Sequence, residues 1–274
     1  MKIYRIYFSP TATSAKISKA IADEAASALK AEVVDIDVTK KASEAIEISK
    51  GELAIIAAPV YGGSMAPISK ARMEAIAGKG TPCALVAVYG NRAFEHALAD
   101  MESFAEAHGF TSIAAGAFVG EHSYSSPATP IATGRPDADD LKSAAEFGKG
   151  IAAKILSGDM TGIEATSLGD IPSPEKSLKN FKKFVTEYAS RQKANPVKLL
   201  PIVDVTLCTH CGICVAGCPT QAIADDCQTV DPAKCIKCCA CVKSCPEGAR
   251  SLLSPFAPVL SANFSMRKAP AWLL

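Results

Sequence analysis

Ten of the eleven cysteines fall between Cys208 and Cys245, and they follow one pattern used twice. The first copy is CTHCGICVAGCP, with Cys208, Cys211, Cys214 and Cys218 ahead of Pro219. The second is CIKCCACVKSCP, with Cys235, Cys238, Cys241 and Cys245 ahead of Pro246. The offset is 27 residues, and Val203-Asp204 and Val230-Asp231 share it. Two-residue spacers let three thiolates curl around three corners of one cubane, and the proline turn throws the fourth clear. In such a run the fourth cysteine serves the other cluster. The spacing predicts one [4Fe–4S] cluster on Cys208, Cys211, Cys214 and Cys245, and a second on Cys235, Cys238, Cys241 and Cys218. Neither repeat completes a site alone.

Zinc is the competing reading, because paired C-x2-C also binds it. Zinc does not need three cysteines in a row at this spacing followed by Cys-Pro, still less the same run twice. The segment resembles the bacterial two-cluster ferredoxins over about 50 residues, with every ligand position matched. Cys239 breaks the spacing, while Cys227 and Cys83 read as small buried apolar residues. A disulfide scaffold is not expected, since the number is odd and no secretory signal is visible.

The rest of the 274-residue chain reads differently. Residues 1–157 alternate strand and helix patterns. Strands are expected at 2–8, 31–38, 53–60, 82–89 and 111–120; LAIIAAPV and PCALVAVY are continuous apolar runs of the kind buried on both faces. Helices are expected at 14–30, 67–77, 93–108 and 137–157. The fold class that follows is α/β, a doubly wound five-stranded parallel sheet, joined to a small α+β two-cluster domain. Residues 158–200 read as linker and connecting helix, 201–253 as the cluster domain and 254–274 as a tail. The helix at 174–193 places Leu178, Phe181, Val185 and Tyr188 on one stripe. Its many lysines read as a solvated face in preference to a docking face for an acidic partner.

In such a sheet ligands bind beyond the carboxyl ends of the strands, at the switch point. Three loops belong there. The first holds Ser9, Thr11, Ala12, Thr13 and Ser14 at a helix N-terminus, a setting for phosphate. The second holds Pro59, Val60, Tyr61, Gly62 and Gly63, an aromatic ring beside two permissive glycines. The third holds Tyr89, Gly90 and Asn91. A phosphate pocket beside two aromatic-glycine loops suits FMN; no GxGxxG follows strand one, and no GxxxxGK[ST] is present. Each loop also has a plain reading, as a helix cap or a turn.

The first loop resembles the flavodoxin pattern Ser/Thr-x-Thr-Gly-x-Thr, with Ala12 in place of its glycine. The flavodoxin-then-ferredoxin order resembles the cytoplasmic two-domain proteins known as EFR1-type ferrodoxins. The matching segments are FSPTATS, PVYGGSMAP, YGNRAFEHAL and GEHSYSSPATPIATGRPDADDL. The resemblance implies non-covalent FMN, with Ser9, Thr11, Thr13 and Ser14 at its phosphate. It also implies Val60, Tyr61, Gly62, Tyr89, Gly90 and Asn91 at its ring. A left-handed alanine at position 12 would cost about 1 kcal/mol more than glycine.

Residues 120–136 form a long loop expected over the same edge. Its chemically able residues are His122, Tyr124 and Arg135. Tyr124 is a candidate flavin contact. His122 is read either as a proton donor near the flavin or as a tie for its own loop. Arg92, beyond the third loop, is expected to stabilise an anionic reduced flavin and raise its potential.

The function these residues support is electron relay between two [4Fe–4S] clusters and FMN, to or from a redox partner protein or small molecule. The chain is then an electron carrier or an FMN-dependent oxidoreductase. Two rivals stand beside it: an FMN-free ferredoxin carrying a partner-binding module, and an iron–sulfur redox sensor. A formal net charge of +1 gives no reason to expect nucleic acid. No run reaches the roughly 18 apolar residues of a membrane span. With no signal-peptide pattern at its start, the expected compartment is the cytoplasm. The sequence does not speak to oligomeric state.

Overall fold

The computed structural model describes residues 1–274. The chain divides into two compact units. The first comprises Met1–Glu121, Gly134–Ile171 and Lys268–Leu274; the second comprises His122–Thr133 and Pro172–Arg267. Each unit is therefore discontinuous in sequence, unlike the serial segments expected from composition. No helix is long and apolar enough to cross a membrane.

The first unit opens with β1 (Lys2–Tyr7), α1 (Thr13–Leu29), β2 (Glu32–Asp37) and the short β3 (Ile46–Ile48). It continues through β4 (Leu53–Tyr61), β5 (Ser64–Met65), α2 (Pro67–Met73) and β6 (Ile76–Gly78). Then follow β7 (Thr81–Tyr89), α3 (Ala97–Ala107), β8 (Phe110–Val119) and α4 (Ala138–Leu156). The five long strands pair in parallel in the order β8-β7-β4-β1-β2. That is the flavodoxin-like order, with its switch point between β1 and β4. Strand alternation sends Leu53, Ile55, Ala57, Ala84 and Val86 to the face covered by α1 and α4. Gly148 lets α4 approach α1, since a Cβ there would stand 2.3 Å from the Ile21 carbonyl oxygen. Arg135 and Asp140, both buried, form a two-pronged ion pair at the start of α4. Asp137 completes a capping box with Asp140. Arg135 is thus spent on structure.

The second unit contains α5 (Glu175–Ala194), β9 (Ile202–Val203), α6 (Ile213–Ala216), α7 (Ala240–Lys243), β10 (Arg250–Ser251) and α8 (Phe256–Asn263). β9 and β10 pair antiparallel and close the cysteine repeat on itself. The repeat's symmetry extends to backbone angles. Gly212 before α6 and Cys239 before α7 both take left-handed conformations, at φ 76° and 60°. α5 packs on α8 through Phe181, Phe184 and Tyr188 against Phe256 and Phe264. The expected stripe is corrected here: Leu178 and Val185 stay exposed, because Phe256 sits between Phe184 and Tyr188.

The tail then returns to the first unit as β11 (Ala271–Leu273), an antiparallel edge strand on β8. Trp272 stacks on Phe118 with centroids 6.2 Å apart and also meets Phe147. The tail that composition left unassigned is the sixth strand of this sheet order.

Candidate functional site

The cysteines surround two small cavities. Cys208, Cys211, Cys214 and Cys245 line the first, with Cys227 beside them. Cys218, Cys235, Cys238 and Cys241 line the second, with Cys239 beside them. Each cavity thus combines three cysteines of one repeat with the last of the other. Ile213 and Ala249 add apolar wall to the first, beside Thr209, Glu247 and Arg250; Ile223, Ile236 and Ala240 do so in the second, beside Thr220 and Lys237. Burial pushes the Cys238 thiol up to about 12 and that of Cys241 up to about 11. Thiolates at these positions need a cationic centre to hold them. The second-sphere donor on Cys218 is the Ala222 N–H, at 3.2 Å from Sγ.

Residues 200–250 match the 4Fe-4S dicluster domain family. Iron–sulfur clusters are therefore what this segment is built to hold. No curated protein matches the chain in sequence. Among solved structures, a flavodoxin from the domain Archaea is 17% identical with a TM-score of 0.39, and covers 57% of this chain and 99% of its own. The flavodiiron core of Flv1 from Synechocystis sp. PCC6803 is 17% identical with a TM-score of 0.41, over 58% of this chain and 36% of its own length. An azoreductase from Bacillus anthracis is 14% identical with a TM-score of 0.36, covering 58% and 99%. At these values the fold class rests on the strand order itself.

The first unit brings the three expected loops to the carboxyl ends of its strands. Ala12 has φ 64° and ψ −1°, the left-handed region. Its N–H donates to the Ser9 carbonyl (3.2 Å) and closes the turn, so it is not offered to a ligand. Ser9 is also committed: its Oγ accepts the Ala15 N–H (2.9 Å), and its own N–H donates to Thr39 Oγ1 (2.9 Å). Of the five expected phosphate residues, Thr11, Thr13 and Ser14 remain for a ligand. The N–H groups of Thr13 and Ser14 are first-turn donors that no intrahelical carbonyl reaches. Ser14 Oγ is buried with no hydrogen-bond partner. An orphaned hydroxyl beside two orphaned amides is the chemistry of a phosphate cradle.

The loops touch one another. Gly120, at the end of β8, lies so close to Thr13 that a Cβ would stand 2.9 Å from the Thr13 Cβ. Its N–H donates to the Tyr89 carbonyl (3.0 Å). Gly62 and Gly63, at φ 61° and 88°, form the two-residue turn between β4 and β5, which only glycine adopts without strain. The Gly63 carbonyl accepts the His96 N–H (2.8 Å). Pro59, Val60 and Tyr61 are half-buried at the strand's end, so the Tyr61 side chain is partly open to solvent.

Tyr89 is not. It is 3% exposed, with its ring edge-on to Phe94 at 5.5 Å and its hydroxyl buried without a partner. The strand end carries its ring inward, against Phe94. Asn91 is buried at φ 67° beside the half-buried Gly90. Arg92 pairs with Glu95 (Nη1 to Oε1, 2.6 Å), which offsets the charge expected to act on a flavin.

His122 and Tyr124 belong to the second unit. Tyr124 lies in the electrostatic neighbourhood of Cys235, Cys238 and Cys239, and burial pushes its hydroxyl up to about 12. His122 Nδ1 accepts the Tyr124 N–H (3.0 Å), the tie within its own loop. Lys243 Nζ, on α7, donates to the Ser125 carbonyl (2.8 Å) and anchors that loop beside the second cavity.

Sequence reasoning missed Thr39, Asp170 and Lys268. Lys268, 6% exposed, donates to the Arg92 and Ile171 carbonyls (2.5 and 2.7 Å). Asp170 accepts the Phe94 N–H (2.6 Å). These contacts hold the third loop from segments distant in sequence, and no local pattern announces them.

Proposed function

We propose that the chain is a flavo-iron–sulfur electron-transfer protein holding two [4Fe–4S] clusters and FMN, of the kind its EFR1-type resemblance implies. The observation that carries this reading is the pair of crossed four-cysteine cavities. The thiols ring two cavities, four to each, in the crossed arrangement that a pair of four-iron clusters uses and that zinc does not need. Cys208, Cys211, Cys214 and Cys245 hold the first, and Cys235, Cys238, Cys241 and Cys218 the second.

The first-unit loops fit FMN. Thr11, Thr13 and Ser14 bind its phosphate, and the orphaned Ser14 hydroxyl supports this directly. Tyr61 stacks on the ring, the Gly62-Gly63 turn admits close backbone approach, and Tyr89 and Phe94 close the wall behind it. When bound, FMN supplies a centre that exchanges electrons singly or in pairs. Arg92 stays engaged with Glu95, so the site carries little net charge from that pair. Fusion of the two units holds both redox sites at high effective concentration.

The test is anaerobic isolation with iron, sulfide and FMN quantified on one sample. The reading expects about eight irons and one FMN per chain. Zinc in place of iron would overturn the cluster assignment. Reconstituted protein with full iron and no FMN affinity would leave a ferredoxin with a flavin-free module.

A further inference from the structure

We propose that α5 and the groove at its C-terminal end dock an acidic one-electron carrier protein that exchanges electrons with the second cluster. The proposal rests on the cluster assignment above but not on FMN.

Three observations within the second unit converge on it. The first is charge. α5 carries six cations against two carboxylates and buries no residue completely. Glu175 and Glu187 are taken by Lys179 and Lys183. Lys176, Lys182, Arg191 and Lys193 remain as exposed positive charge. The dicluster segment itself is nearly neutral, so the sign asymmetry belongs to this helix. A helix kept at the surface for packing alone needs its Phe181, Phe184 and Tyr188 stripe, not a field of one sign.

The second is shape. A groove open to solvent runs past the end of α5. Tyr188, Arg191, Val197, Leu199 and Leu253 line it. Leu253 and Val197 are 74% and 64% exposed. Gln192 fixes the wall: its amide donates to Tyr188 Oη (2.8 Å) and its Oε1 accepts the Val197 N–H (2.8 Å). Exposed apolar side chains inside a cationic rim are the anatomy of a protein interface. The charges give on-rate and sign selectivity.

The third is place. Tyr188, on the groove wall, meets Phe256 (ring centroids 4.9 Å), which packs in the same apolar cluster as Tyr124, and the loop of Tyr124 is held through Ser125 by Lys243, on the same short helix as Cys241 of the second cavity. A carrier seated in the groove therefore stands on the side of the second cluster. One electron leaves the reduced carrier and enters that cluster. No bond forms or breaks, and no proton moves; the reverse flow has the same balance.

The experiment uses the full holoprotein in anaerobic stopped flow, with a pre-reduced small acidic [2Fe–2S] ferredoxin as probe. The neutral photoreduced deazariboflavin serves as control reductant. The second-order rate with the ferredoxin should fall steeply with added salt. It should fall tenfold or more in Lys182→Glu/Arg191→Glu/Lys193→Glu, on the order of an electrostatic steering effect. Leu253→Glu, at an exposed site that cannot unfold the core, should slow the ferredoxin as well. The deazariboflavin rate should stay within about twofold in both variants. Absorbance of the clusters before mixing shows whether they are present, so a failed cluster assignment is read separately. A ferredoxin rate insensitive to salt and to charge reversal would overturn the proposal. So would charge-dependent binding to phosphatidylserine vesicles with no effect on the ferredoxin rate.

Discussion

Cys245, the last cysteine of the second repeat, lines the same cavity as Cys208, the first cysteine of the first. The two repeats are interlocked at both sites, because Cys218 crosses in the opposite sense. Substitution effects should therefore follow cavities and not sequence position. Cys245→Ala should lose about half of the iron and leave the spectrum of Cys211→Ala. Cys218→Ala should instead match Cys238→Ala. Iron analysis with low-temperature EPR reads the difference, and a Cys245→Ala protein that matches Cys238→Ala would refute the crossing.

Ser14 makes a prediction of opposite signs. Its hydroxyl is buried without a partner, a state that costs stability when no ligand is bound. Ser14→Ala should leave the flavin-free protein as stable or slightly more so. The same change should weaken FMN about tenfold, the equivalent of roughly 1.4 kcal/mol, a strong hydrogen bond to a charged group. Flavin fluorescence titration and thermal melts of the flavin-free protein measure the two effects. Loss of stability with unchanged affinity would assign Ser14 to the helix and not to a ligand.

Ala12 separates folding from binding. The loop's own hydrogen bonds, Ala12 N–H to the Ser9 carbonyl and Ala15 N–H to Ser9 Oγ, hold Ala12 at φ 64°. The strain of a left-handed alanine is thus spent on folding, not on ligand capture. Ala12→Gly relieves about 1 kcal/mol of strain and returns part of it through the freer unfolded chain. The melting temperature should rise by about 1–3 °C, while FMN affinity stays within about twofold. A large gain in affinity would mean that the loop rearranges on binding.

The parallel strands were legible because the central ones, at 53–60 and 82–89, are continuous apolar runs and β2 alternates, and their boundaries fall within a few residues of those expected. The cluster site was legible because ligand spacing is itself the chemistry. Other features were not. β11 is three residues long, after a Pro-rich stretch, and its pairing with β8 is a tertiary choice with no period to betray it. The φ of Ala12 is set by the Ser9–Ala15 and Ser9–Ala12 hydrogen bonds, which alanine's own preference opposes. Tyr89 looked like a stacking residue because sequence gives position along a strand but not which way its end turns. The loop 122–133, rich in Ser, Thr and Pro, gave no sign that it belongs with the cysteine-bearing unit.

Trp272 tests how far the tail matters to the sheet. It is half-buried against Phe118 and Phe147 on the edge strand. Trp272→Ala should cost about 2–3 kcal/mol, somewhat less than a fully buried aromatic. Chemical denaturation of the first unit's signal measures it. An unchanged midpoint would show that β11 is an ornament on the sheet.

Lys268 joins that tail to the third loop. Its ammonium donates to the Arg92 and Ile171 carbonyls, and Asp170 takes the Phe94 N–H from the neighbouring segment. The loop between them holds Asn91 and Glu95 at φ 67° and 45°, conformations that non-glycine residues keep only when their surroundings impose them. Lys268→Met preserves the aliphatic stem but strands two carbonyls, a loss of about 1–3 kcal/mol. The loop should loosen, so FMN affinity should fall severalfold, while iron content and cluster spectra remain those of the parent. Lys268→Arg, which keeps the donors, should recover most of the affinity. Flavin titration with iron analysis on the same samples decides it. Equal affinity in the methionine variant would show that the loop keeps its shape without the lysine.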